Sequence, residues 1–148
     1  MTILWLTEPP TADTFGKKPL SASFDKLGNN ATVAMVHVQR WHQQSGIPIL
    51  PFHQPRSDGS AMIEVYPALA KVKGKNEGYP AIQSLLPPNM TAGTDESDAA
   101  ICALHALAFA INGCSRLLPP LVGPSETVVD VARHEGWIYY FAPEFVRQ

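Results

Sequence analysis

Residues 94–109 read TDESDAAICALHALAF, and the run that follows Asp98, AAICALHALAFAI, holds no Asp, Glu, Lys or Arg. Its apolar positions recur at helical spacing. Thr94 and Asp95 supply N-cap chemistry and Gly113 stands where a helix C′ glycine belongs, so the stretch predicts a helix from residue 94 or 95 to 112. Asp95 and Asp98 are three apart and share one face of that helix. Two readings of the pair stand side by side. They cap the helix and oppose its dipole, or they converge as hard oxygen ligands for Mg²⁺ or Mn²⁺.

Outward from this helix, helical and extended signals alternate, which predicts an α/β fold. Residues 3–6 read as a short strand stopped by Pro9 and Pro10. Residues 8–30 are polar and rich in turn formers, and they predict a long loop. Asn29 or Asn30 caps a helix over residues 31–45, with Ala34, Met35, Val38 and Trp41 toward the core and Gly46 ending it. GIPILPF (46–52) and SAMIEVYP (60–67) read as two strands with a turn, HQPRSDGS, between them. Residues 68–72 and 80–86 predict helical turns, and 125–134 a short helix capped by Ser125. GWIYYFAPEF (136–145) closes the chain as a strand.

A length of 148 residues suits one domain over 1–148. With 45% apolar and 16% charged residues the chain is globular in composition, and its 14 prolines predict abrupt element ends. A net charge of −2 with scattered Lys and Arg excludes a broadly basic nucleic-acid binder and leaves room only for a local basic groove. No apolar run is long enough for a membrane span, and MTILWLTEPP lacks the basic start of a signal peptide. Cys102 and Cys114 are too far apart along a helix for a disulfide and are expected as buried thiols of a reducing compartment. A cytoplasmic protein with no membrane partner is the expectation.

Glu64 stands in AMIEVYP, where alternation sets Met62, Glu64 and Tyr66 on one face and Ile63 and Val65 on the other. A carboxylate there is costly unless it faces water at an edge, pairs, or binds metal. A strand glutamate followed by Asp95-x-x-Asp98 on a helix is the acid order of the RuvC-like branch of RNase H folds. In such sites two metal ions about 4 Å apart activate water and steady the leaving oxygen of a phosphodiester.

Further pieces, PLSASFDKLGNNATVAM, IEVYPALA, YP, DESDAAICAL and EGWIY, follow one another in an order that resembles one family. It is the uncharacterised family of predicted RNase H-fold nucleases known as domain of unknown function 429. The resemblance runs over residues 18–140 and rests chiefly on EVYPA, D-x-x-DA-x-x-CAL and EGWI. It implies an RNase H-like α/β fold of the RuvC-like branch. It also implies Glu64, Asp95 and Asp98 as active-site and metal-ligating acids, Mg²⁺ or Mn²⁺ as cofactor, and nucleic acid as substrate. LTEPPT resembles an upstream Thr-acid motif of the family, which makes Glu8 a fourth candidate. Members open on a β-hairpin region whose first strand carries an aspartate. This sequence has no counterpart, so it is expected to correspond to the C-terminal portion of such a domain.

The remaining polar residues leave alternatives open. His37, His42, His53, His105 and His134 show no metal-ligand spacing. His105, two turns beyond Asp98, reads as a neighbour of the acids or as a hydrogen-bonded core residue. Lys71, Lys73 and Lys75 read as phosphate contacts or as a solvated loop. Trp137, Tyr139 and Tyr140 read as a base-stacking platform or as core. Two functions follow. One is metal-dependent phosphodiester hydrolysis, weakened or abolished by the missing first-strand aspartate. The other is a non-catalytic oligomerising or protein-interaction module, with a homo-oligomer formed through an exposed sheet edge.

Overall fold

The computed structural model describes residues 27–72, 77–111 and 118–146. Glu8, Lys73, Lys75, Gly113 and Cys114 lie outside them, as does most of the 8–30 loop. The described residues fall into two compact units: the first holds 27–64 and 124–137, the second the rest.

In the first unit, helix α1 (Leu27–Ser45) takes in residues 27–30 of the expected loop. An asparagine in a first turn costs a helix only some tenths of a kcal/mol, so Asn29 and Asn30 do not stop it. The helix ends where Gly46 takes φ +68° and donates its N–H to His42 O at 2.8 Å, the left-handed closure that glycine permits. Trp41 was expected in the core and is instead 56% exposed, with Val33 and Val36 also exposed. The helix carries apolar residues on more than one face, so periodicity alone did not choose the buried one.

Of the expected pair of strands over residues 46–67, the first reduces to one parallel bridge, Ile49 to Met62, and the second keeps only the two-residue strand Glu64–Val65. Met62 N–H donates to Pro48 O and Leu50 N–H to Met62 O, each at 2.8 Å. Pro48 and Pro51 have no N–H to extend the ladder. The opposite flank of this segment is met by side chains. His42 Nδ1 lies 2.6 Å from Ile47 O, and Ile49 N–H donates to His53 Nδ1 at 3.1 Å. The two imidazoles stack with centroids 3.8 Å apart. Farther on, Ser125 does not cap a helix: its hydroxyl bonds the Thr127 hydroxyl at 2.9 Å, and residues 125–128 form a turn. A helix of seven residues, Val129–Glu135, follows and stops at Gly136, φ +88°.

A three-stranded sheet has the order β1 (Glu64–Val65), β3 (Ile138–Phe141), β2 (Leu121–Val122); all of it but Glu64 belongs to the second unit. β2 and β3 are antiparallel, with Leu121 opposite Phe141 and Val122 opposite Tyr140. All four β3 residues are buried, as expected of a central strand. The predicted strand 136–145 is therefore shortened, because Pro143 starts a short helix, Pro143–Val146. Helix α3 (Asp95–Ile111) packs on β2, β3 and a 3₁₀ turn, Pro67–Ala70, and a short helix α2 (Pro80–Gln83) packs on the Pro143–Val146 turn of helix. Leu69, Ile82, Ile101, Phe141 and Val146 form the driest part of this core, each exposed by 3% or less.

Helices with a small sheet make the chain α/β in class. Both outer strands are two residues long, so the sheet offers only a short edge. Among the described residues no helix is long and apolar enough to cross a membrane.

Candidate functional site

The start of α3 carries the sequence's aspartate pair. Thr94 is the cap: its hydroxyl accepts the Ser97 N–H at 3.3 Å, and its carbonyl accepts the Asp98 N–H at 3.0 Å. That frees Asp95, Glu96 and Asp98 from capping and places all three in the first turn, where negative charge opposes the helix dipole. Asp95 and Glu96 are exposed and Asp98 is half-buried.

Asp98 is held by a lysine. Lys71 Nζ, next to the 3₁₀ turn that packs on α3, lies 2.6 Å from Asp98 Oδ1. The oxygen accepts no well-directed hydrogen bond, but at this separation the ion pair is a firm contact. The side chains are 15% and 41% exposed, so water screens the pair from the Asp98 side. Lys71→Ala is expected to cost no more than about 1 kcal/mol in a urea titration, because the abandoned carboxylate stays hydrated. A loss several times larger would show that the pair is sealed from water.

Glu64 opens β1. It belongs to the first unit, whereas Asp95 and Asp98 belong to the second. Surrounding protein pushes its carboxyl up to about 7 through burial alone. The residue nevertheless keeps an exposed surface. That surface gives water access and limits the energetic weight of the shift. Among the described residues no group of three or more His, Cys, Asp or Glu is placed to hold a metal ion.

One turn past Asp98, Cys102 is exposed rather than buried as expected. Partial burial of its sulfur, and then the Asp98 charge, raise its thiol pKa, so it is a poor nucleophile. His105 takes the core alternative. It is 1% exposed, stacks on Phe141 at 3.9 Å, and its Nδ1 donates to Ile101 O at 2.7 Å. Burial drives its pKa down to about 4, so the ring is neutral near pH 7. Trp137, Tyr139 and Tyr140 are buried as well, which removes them as a base-stacking platform.

Sequence reasoning missed two associations, Lys71 with Asp98 and His42 with His53. Neither has a local signal; each joins residues from different elements. Compared with family models, with curated proteins and with solved structures, the chain finds no match in any of the three.

Proposed function

We propose that the chain is a non-catalytic protein-interaction module of α/β architecture. The supporting observation is the Lys71 ammonium 2.6 Å from Asp98 Oδ1. An internal cation already balances the carboxylate that a divalent ion would have to use. The rival reading is a metal-dependent nuclease of RNase H type, of the RuvC-like branch, with Mg²⁺ or Mn²⁺ on Glu64, Asp95 and Asp98. It requires Lys71 to leave Asp98 before an ion enters.

Thermal melts with and without Mg²⁺ or Mn²⁺ decide between them. An ion at a hundred times its dissociation constant stabilises a protein by about 2.7 kcal/mol. For a chain of this size that moves Tm by several degrees. The expected result is an unmoved Tm for the wild type and for Asp98→Asn alike. A rise in the wild type that Asp98→Asn abolishes overturns the proposal and restores the nuclease.

A further inference from the structure

The corner that follows α1 is closed by two imidazoles that use the same ring atom in opposite ways. His42 Nδ1 lies 2.6 Å from Ile47 O. A carbonyl only accepts, so this nitrogen carries the proton and donates it. Ile49 N–H donates to His53 Nδ1 at 3.1 Å, so that nitrogen is bare and accepts. The two neutral rings are therefore opposite tautomers. They stack with centroids 3.8 Å apart and are half-buried, within reach of water.

A proton affects the two rings unequally. On His42 it goes to Nε2 and leaves the bond to Ile47 intact. On His53 it goes to Nδ1, where it meets the N–H that Ile49 already directs there. The charged ring then turns to Ile49 O, 3.2 Å from the same nitrogen, and the amide has to let go. With both rings charged, like charges 3.8 Å apart add to the push.

The geometry points to His53 as a proton-operated latch on the Ile49 amide, closed while the ring is neutral and open once it is charged. Histidine ordinarily changes charge between about pH 5 and 8, so the latch works in the physiological range. Charged groups elsewhere in the unit do not pin the stack in one state. Neither ring is ion-paired with a described Asp or Glu. Arg56 donates to Gly46 O at 3.4 Å and is paired with Asp58 at 2.9 Å, and Asp130 is paired with Arg133 at 2.9 Å. His37, Arg40, Glu126 and His134 are exposed. Glu64, two residues past Met62, titrates in the same range, its carboxyl being raised to about 7 by burial.

Two NMR measurements on the full chain test the latch. Imidazole ¹⁵N shifts at about pH 8 are expected to show the proton of His42 on Nδ1 and that of His53 on Nε2. Between about pH 8 and 5 the protection of the Ile49 amide against hydrogen exchange is expected to fall about 10-fold, the scale of one hydrogen bond. The amides of Leu50 and Met62 donate to Met62 O and Pro48 O, not to an imidazole, and are expected to fall less. His53→Asn places a side-chain oxygen where Nδ1 stood and does not titrate; it is expected to abolish the step. Glu64→Gln is expected to leave it unchanged. A proton on Nδ1 of neutral His53 overturns the inference, as does an Ile49 protection that is flat with pH or falls in step with Leu50 and Met62. These readings need only the wild type, so they decide the matter even where a variant does not fold.

Discussion

Between pH 6.5 and 4 the protein is expected to lose about 3 kcal/mol of stability through His105 alone. The imidazole is 1% exposed and its pKa is lowered to about 4, against about 6.5 in the unfolded chain. Within that window the unfolded chain binds the proton and the folded chain does not. The contribution is therefore whole above pH 6.5, falls as pH drops, and is gone near pH 4. Urea titrations of the wild type and of His105→Leu at pH 7 and pH 4 check this: the variant, less stable at pH 7, should show a loss smaller by about that amount. Equal losses in both proteins would show that His105 is not buried as a neutral ring. Glu64 works in the opposite sense. Folding favours its protonated form, so its contribution is present below about pH 4.5 and fades as pH rises through about 7. Its exposed surface makes that limb the weaker one, and the net slope follows His105.

Ile101→Ala is expected to cost roughly 2–5 kcal/mol. Ile101 is 2% exposed on the face of α3 that meets the sheet, and the deleted methyl groups leave a void that neighbouring backbone cannot close. Val131→Ala, on a residue 49% exposed, is expected to change stability by less than about 1 kcal/mol. Denaturant midpoints of the two variants measure the contrast. Similar losses from both would show that Ile101 is no better packed than the half-exposed Val131.

These two residues also show what the sequence makes readable. The charge-free run behind Asp98, with a threonine cap ahead of it, needs no tertiary information to be read as a helix, and α3 is where it was expected. IYYF is likewise legible, because four aromatic or β-branched residues without a charge fit a central strand. The segment 46–67 is less so: hydrophobic content suggested two full strands, but Pro48 and Pro51 withhold the donors that the first needs, and of the second only Glu64–Val65 pairs as a strand. Trp41 was misread because α1 has apolar residues on several sides and the choice of buried face is tertiary. The aspartate pair was correctly placed on one turn, but its partner was not. Lys71 reaches Asp98 only because the 3₁₀ turn packs on α3, a contact that no spacing rule encodes.

The histidine stack beside Ile47 and Ile49 has a consequence for solubility. The extended piece around Ile49 is engaged on one flank by Met62, and imidazole nitrogens occupy the other. An incoming foreign strand finds no vacant amide or carbonyl row there to template its growth, so aromatic rings act as a seal against runaway cross-chain stacking.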